Sequence, residues 1–97
     1  MKYSLNMKTG FFTSKPYSLT VSKGLVALFP DSSPEDCIRI PEESISGIVI
    51  RKKHRMEMEL STKEKVFSGT FNSSYDPKEL FDLFIDNIKT TTTYKEE

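Results

Sequence analysis

The sequence predicts an α+β domain in which antiparallel β-strands are followed by one C-terminal amphipathic helix. Two observations favour this class. Apolar and polar residues alternate with a period of two in several short segments between residues 2 and 71, which is typical of strands with one buried face. Apolar residues near the C-terminus instead recur at helical spacing. We therefore expect a single domain over residues 1–90, followed by a polar C-terminal tail over residues 91–97.

The composition sets limits on function. The chain has 97 residues, of which 36% are hydrophobic, and it is therefore too apolar for a disordered chain. Its 14 basic and 14 acidic side chains balance, so no overall charge attracts nucleic acid or an anionic membrane. Cys37 is the one cysteine, which excludes an intramolecular disulfide and fits a reducing compartment. Because no signal-peptide core or membrane-spanning run is present, we expect a cytoplasmic location.

The first half of the chain predicts four strands. Alternation from Lys2 to Met7 predicts the first strand, and alternation over Tyr17–Val21 predicts the second. The apolar run Leu25–Phe29 predicts the third, and residues 22–24 between these two strands are typical of a tight hairpin. Two prolines and small polar residues then predict a loop, after which Ile38–Ile40 forms a short strand.

The second half predicts three more strands. Ile45–Ile50 is an apolar strand candidate that ends at a basic run. Met56–Leu60 alternates strictly with polar residues and predicts a strand with one buried face. The last strand is predicted at Phe67–Phe71, after a polar turn.

The helix carries the clearest signal, from Asp76 to about Thr90. Asp76 is a good N-cap, Pro77 suits the first helical position, and Glu79 stands at capping-box spacing. The residues that follow form an apolar stripe at helical spacing: Leu80, Phe81, Leu83, Phe84, Ile85 and Ile88. We expect this stripe to cover an open end or face of the sheet.

One stretch carries a family resemblance. In Ile38–Ile50 a short strand, an Ile-Pro pair and an acidic turn precede a second strand, and this order resembles small bacterial domains of the pleckstrin-homology-like (PH-like) superfamily. The hairpin Met56–Phe71 and the helix opened by Asp76 and Pro77 are similar too, so the resemblance covers nearly the whole chain. It implies a barrel of two roughly orthogonal antiparallel sheets, with six to seven strands and one C-terminal helix capping an open end. It also implies binding, of protein or of lipid head groups.

Members of that family that bind phosphoinositides carry a basic motif between the first two strands. The corresponding loop here would be Thr9–Pro16, in which Lys15 is the one basic residue. The resemblance therefore does not extend to recognition of inositol phosphates.

A basic run between two predicted strands is the most conspicuous local feature; it comprises Arg51, Lys52, Lys53, His54 and Arg55. Guanidinium groups suit phosphate or carboxylate recognition, so one interpretation is weak binding of an anionic ligand or a membrane surface. The favoured interpretation is a solvated turn, since charged turns mostly serve solubility and acidic residues lie nearby. We expect no nucleic-acid binding, because one short run neutralises few phosphates.

The spacing of two arginines invites a second comparison. Arg51-x-x-x-Arg55 and Glu42-x-Ser44-x-x-Gly47 resemble the two motifs of the PilZ family, which binds cyclic di-GMP. The order of the motifs is reversed here, and Glu42 replaces the Asp or Asn of the family. This alternative is therefore disfavoured.

No catalytic or metal-binding constellation is predicted. His54 and Cys37 could form a nucleophile and base, but no third group supports them, and Cys37 is more typical of a small core residue. One His and one Cys cannot supply the ligands of a usual metal site. We expect no enzyme activity and no cofactor.

Phe11 and Phe12 break the strand alternation. The favoured interpretation is that they anchor the loop to the core, and the alternative is that one ring is exposed and marks a partner site. Our leading hypothesis is a non-enzymatic binding module whose partner is a protein, docked at an open sheet edge or beside the helix. An unpaired edge strand such as Lys2–Met7 would also allow a homo-oligomer.

Overall fold

The computed structural model describes residues 2–96, which form one sheet-rich α+β domain. The described residues contain eight strands, one α-helix and two short 3₁₀ turns. In chain order the elements are β1 (Lys2–Lys8), β2 (Ser14–Ser22), β3 (Leu25–Pro30), a 3₁₀ turn (Pro34–Asp36), β4 (Ile38–Pro41), a second 3₁₀ turn (Glu42–Ser44), β5 (Ile45–Lys52), β6 (Met56–Thr62), β7 (Val66–Phe71), α1 (Pro77–Asn87) and β8 (Thr92–Glu96). All seven predicted strands are present, and β8 is an additional one.

The strands form a continuous sheet in the order β4-β3-β2-β1-β7-β6-β5-β8. Neighbouring strands are antiparallel except β5 and β8, which are parallel. The prediction that Lys2–Met7 is an unpaired edge strand is wrong, because β1 lies in the middle of the sheet between β2 and β7. Period-two alternation reports which face of a strand is buried, and it does not report how many neighbours the strand has. Among residues 2–96, the edge strands of the sheet are β4 and β8.

The sheet curls around one hydrophobic core. Val26 on β3 and Ile50 on β5 belong to the same cluster of buried residues, although four strands separate β3 from β5 in the sheet. In a flat sheet with strands ~4.8 Å apart, these residues would lie roughly 24 Å from each other. Curling brings the inner faces of the two halves together and buries apolar residues of seven strands, β1 to β7.

Gly69 lies where β1 pairs with β7. The two strands pair over only three positions, Leu5–Met7 with Gly69–Phe71. A Cβ on Gly69 would lie 2.6 Å from Met7 Sδ and 3.1 Å from the carbonyl oxygen of Asn6. The missing side chain therefore allows two core-facing residues of β1 to pack directly over the backbone of β7.

The helix closes one end of the curled sheet. The Asp76 side chain accepts a hydrogen bond from the Lys78 backbone N–H at 2.9 Å, and Pro77 occupies the first turn, as predicted. Leu80, Phe84 and Ile88 of the predicted apolar stripe are buried, and Phe81 and Leu83 are half-buried. The prediction is wrong for Ile85, which is 48% exposed. The helix ends at Asn87 and not near Thr90, because Ile88 already has an extended backbone and four threonines follow.

The turn of the β2–β3 hairpin is hydrogen-bonded to the C-terminal end of the helix. Ser22 pairs with Leu25, which leaves a two-residue turn whose second residue, Gly24, has a φ of 76°. The Gly24 N–H donates to the Asn87 carbonyl at 2.8 Å, and the Gly24 carbonyl accepts from the Glu42 N–H at 3.0 Å. The tight turn was predicted, and its contact with the helix terminus is a product of the tertiary fold.

The predicted polar tail contains a strand. The Thr90 hydroxyl lies within hydrogen-bond distance of two carbonyl oxygens, Ile45 at 3.2 Å and Glu42 at 3.4 Å, which share its one proton. The Ile48 N–H donates to the Thr91 carbonyl. These hydrogen bonds place the segment after the helix beside β5. There, Thr92–Glu96 pairs in parallel with Ile48–Lys52. The segment has no apolar alternation, so its sequence predicted no strand, although threonine favours extended backbone.

Candidate functional site

The most exposed apolar residues form the tip of the β1–β2 loop, residues 9–13. The Thr9 N–H donates to the Thr13 carbonyl at 3.1 Å, which closes the loop at its base. At the tip the rings of Phe11 and Phe12 are 92% and 94% exposed, and they contact each other edge to face at 4.9 Å between centroids. The favoured prediction that this pair anchors the loop to the core is therefore wrong. Both rings, not one, face solvent.

The basic run is divided by the fold. Arg51 is on the outer face of β5, where its Nη1 lies 2.6 Å from Glu59 Oε2 of the neighbouring strand β6. This ion pair offsets the charge of Arg51 locally. Lys52 ends β5 and lines a concavity of about 280 Å³ together with His54, Arg55 and residues 72–75. The fold therefore sets Arg51 apart in an ion pair, whereas Lys52 shares a surface with His54 and Arg55.

Three residues of the run share a second pocket with the base of the β1–β2 loop. Lys53, His54 and Arg55 line a pocket of about 500 Å³ together with Lys8 at the end of β1 and Ser14 at the start of β2. Asn6, Glu57 and Thr70 complete the lining. We name this lining the outer pocket; it brings cationic side chains from two distant segments to one face.

The basic run alone does not predict that Lys8 belongs to the site. A sequence signal for Lys8 was present, since this residue directly precedes the β1–β2 loop and stands three positions before Phe11. What was missing was the sheet register, in which Asn6 lies opposite Thr70 and Thr70 lies opposite Glu57. This row of pairs sets the β1–β2 loop and the basic turn on the same outer face.

The two PilZ-like motifs lie at opposite ends of β5. Glu42 and Ser44 belong to the 3₁₀ turn before this strand, whereas Arg55 follows it. The intervening strand has eight residues and spans roughly 25 Å at ~3.3 Å per residue. Glu42 is instead used structurally, since its Oε1 accepts from the Lys89 N–H at 3.2 Å.

The proposed nucleophile and base are not assembled into a site. Cys37 is half-buried just before β4, and His54 lies in the exposed β5–β6 turn. Neither pocket that His54 lines includes Cys37. Within residues 2–96 no cluster of three or more His, Cys, Asp or Glu side chains is placed to hold a metal ion.

A third surface is a groove between the helix and β8. Pro77, Phe81 and Tyr94 line its apolar part, with a volume of about 520 Å³. Desolvation raises the pKa of the Tyr94 phenol, and the carboxylates of Glu96 and Asp76 raise it further. On the helix, the Lys78 ammonium bonds Asp82 at 3.1 Å, and this bond raises the pKa of Lys78. The groove lies beside the helix, with β8 as one of its walls.

The single helix of the described residues is too short to cross a membrane. No protein-family model matches the chain, and no functionally described protein matches its sequence.

Proposed function

We propose that the protein is a non-enzymatic binding module of PH-like fold, and that its partner is another protein that contacts the Phe11–Phe12 tip. The PH-like fold is supported by the seven antiparallel strands before the helix and by the burial of the helix stripe against them. The binding role is supported by the exposed tip.

The exposure of Phe11 and Phe12 is the observation that carries the proposal. Removing one Phe side chain from water stabilises a complex by about 1.5–3 kcal/mol, so two adjacent rings form a candidate hot spot. The loop base is closed by a hydrogen bond, and the rings already contact each other. A partner would therefore meet an apolar surface that needs little further ordering, which lowers the entropic cost of binding.

The charge distribution favours a protein over a membrane. The chain has no net charge, so it lacks a long-range attraction to anionic lipid. At the base of the loop that carries the tip, the carboxylate of Glu57 lies among the cations of the outer pocket. A mixed polar rim around an apolar centre is the usual composition of a protein–protein contact.

The test compares the double variant Phe11→Ser, Phe12→Ser with Ile85→Ser as a matched control. Ile85 is 48% exposed on α1, so the control also removes an exposed apolar side chain. Proteins captured by the wild-type chain are identified, produced in pure form and titrated against all three chains by calorimetry. We expect a partner whose affinity falls at least tenfold in the loop variant and is unchanged in the control.

Three results would overturn this proposal. The first is a purified partner that binds the loop variant as tightly as the wild type. The second is the lack of any partner that survives purification. The third is sedimentation of the wild-type chain, but not of the loop variant, with phosphatidylserine vesicles, which would identify a lipid surface as the target of the tip.

A second candidate function is weak binding of an anionic ligand in the outer pocket. It is favoured by the convergence of Lys8, Lys53, His54 and Arg55 on one pocket of about 500 Å³. Guanidinium and ammonium groups from separate segments could contact one phosphate or carboxylate from two sides. Glu57 in the same lining would limit the affinity.

This second function is tested with inorganic pyrophosphate as the probe. Chemical shifts of the chain are followed at low salt for the wild type and for the variant Lys8→Gln, Arg55→Gln. A control variant, Lys23→Gln, Arg39→Gln, removes two exposed cations that do not line the outer pocket. Binding should disappear in the first variant, persist in the control and weaken as salt is added. Equal binding by both variants would reject the outer pocket as the site.

A further inference from the structure

The groove between α1 and β8 presents apolar rings to solvent. We call it the helix–β8 groove, and its lining consists of Asp76, Pro77, Lys78, Phe81, Tyr94 and Glu96. Phe81 is half-buried and Tyr94 is 36% exposed, so both rings are accessible to a partner. The volume of the groove is about 520 Å³. Since a cavity of roughly 150 Å³ accommodates one benzene ring, the groove has room for two phenyl side chains.

The charges in and beside this groove are predominantly negative. Asp76 and Glu96 line it together with Lys78, and the Lys78 ammonium is bonded to Asp82 at 3.1 Å. Glu96 has Lys52 as its neighbour on β5. Even with Lys52 included, three carboxylates stand against two ammonium groups. The groove therefore favours an apolar partner that also carries positive charge.

The β1–β2 loop has the complementary composition. Phe11 and Phe12 are almost fully exposed at its tip, and residues 8–15 contain two lysines and no acidic side chain. Lys8 and Lys15 are exposed, and among residues 2–96 neither takes part in an ion pair. Each lysine stands three positions from the nearer phenylalanine, so the Cα atoms are at most about 11 Å apart. The loop thus presents two aromatic rings between two cations.

The tip does not reach the groove of its own chain. Tyr3, at the start of β1, contacts the ring of Tyr75 at 4.7 Å between centroids, and Tyr75 directly precedes Asp76. The loop instead follows Lys8 at the other end of β1, roughly 17 Å away at ~3.4 Å per residue. A contact between the tip and this groove therefore joins two molecules.

We infer that the Phe11–Phe12 tip of one copy docks in the helix–β8 groove of a second copy. Lys8 and Lys15 then lie beside the carboxylates of that groove. The inference rests on the proposed function, because it uses the same tip and names the partner as a second copy of this chain. Since the contact joins two different surfaces, every dimer retains one unused tip and one unused groove, and the assembly grows head to tail.

Head-to-tail contact is tested by complementation between two variants. Phe11→Ser, Phe12→Ser removes the tip and keeps the groove, whereas Tyr94→Lys keeps the tip and replaces a groove ring by a cation. Sedimentation equilibrium measures the average mass of each chain up to about 1 mM, where even weak contacts are populated. The wild-type mass should rise with concentration beyond that of a dimer. The self-affinity of each variant alone should be at least tenfold lower.

An equimolar mixture of the two variants gives the decisive result. One variant supplies the groove and the other supplies the tip, so the mixture should form a one-to-one complex that does not grow further. The mixture also reports on folding, because the Tyr94→Lys chain must still present a working tip. Complex formation should weaken as salt is added, since the lysines and carboxylates are then screened.

Ile85→Ser is the matched control for the groove. Ile85 is an exposed apolar residue of α1 that does not line the groove. This variant should therefore associate as the wild type does. Association that is lost equally in Ile85→Ser and Tyr94→Lys would place the contact elsewhere on the helix and would overturn the inference.

Two further outcomes would overturn the inference and leave the proposed function standing. In the first, the wild-type chain stays monomeric at every concentration while a different protein binds the tip. In the second, the wild-type chain associates but the two variants form no complex when mixed, which would indicate contact between two tips. A tip variant that self-associates and binds every captured protein as tightly as the wild type would reject both proposals.

Discussion

Phe84 in the helix and Phe12 in the β1–β2 loop carry the same side chain but differ in how much of the ring is exposed to solvent. Phe84 lies on α1, is fully buried and packs with the core cluster. Phe12 lies at the tip of the β1–β2 loop and is 94% exposed. One end of the curled sheet is thus closed by its own helix, whereas the loop leaves two aromatic rings in water.

The difference separates residues that maintain the fold from residues available for binding. Leu80, Phe84 and Ile88 of the helix are buried in the core, so their side chains offer almost no surface to a partner. The loop tip could lose both of its rings without leaving a cavity. Function is therefore best sought at the loop, at the outer pocket and at the sheet edges.

The largest effect is expected at the helix end. Phe84→Ala removes a large buried side chain, so the free energy of unfolding should fall by about 3–5 kcal/mol. Denaturation by urea measures this, with Phe12→Ala as the matched control. Because the ring of Phe12 is exposed, its removal should change stability by less than about 0.5 kcal/mol. A loss above 1 kcal/mol in the control would mean that the loop packs on the protein in solution.

A smaller effect is expected where β1 passes β7, between the two ends. Gly69→Val would force a side chain against Met7 Sδ, Leu5 Cδ1 and the Asn6 carbonyl oxygen. Overpacking of this kind costs about 1–3 kcal/mol in urea denaturation. The control is Gly47→Val in β5, where a Cβ meets no atom within 4 Å. Equal losses of unfolding free energy in both variants would indicate a general cost of replacing glycine and no special crowding where β1 pairs with β7.

The smallest effect concerns the pH dependence of the helix end. Burial raises the pKa of the Tyr3 phenol above its ordinary value of 10.0, and Glu79 and Tyr75 raise it further. The folded state therefore holds this proton more tightly than the unfolded state. The corresponding stability is complete below pH 10.0 and is lost as the pH rises through the raised folded-state value.

Urea denaturation of the wild type and of Tyr3→Phe, each below and above pH 10.0, measures this contribution. The variant should lose less stability at alkaline pH than the wild type, because it lacks the titrating group. Other groups with raised pKa values, Tyr94 and Lys78, remain in both chains and cancel in the comparison. Parallel pH profiles would show that Tyr3 titrates alike in the folded and unfolded chains.

Much of the candidate site was visible in the sequence as separate pieces. The basic run and the pair Phe11–Phe12 were both singled out, but neither was placed in contact with the other. The outer pocket arises because Lys8 and Ser14 at the loop base meet Lys53–Arg55 across the curled sheet. Residues so distant in sequence come together through strand pairing, which a local pattern does not encode.

The sequence by itself determined the seven strands before the helix, the start of the helix and the buried faces of these elements. Alternation in β1 and β6 placed Leu5 and Met58 in the core, and the cap, proline and stripe of α1 predicted its start and its buried face. These properties follow from side-chain chemistry within a few residues.

Only the tertiary structure decided the neighbours. It placed β1 in the middle of the sheet, converted a polar tail into β8 and left both loop phenylalanines in solvent. Strand neighbours are joined by backbone N–H and C=O groups that nearly every residue carries, so the sequence pattern does not distinguish one partner from another. The exposure of a loop side chain likewise depends on whether a distant surface reaches it, and in this fold none covers Phe11 or Phe12.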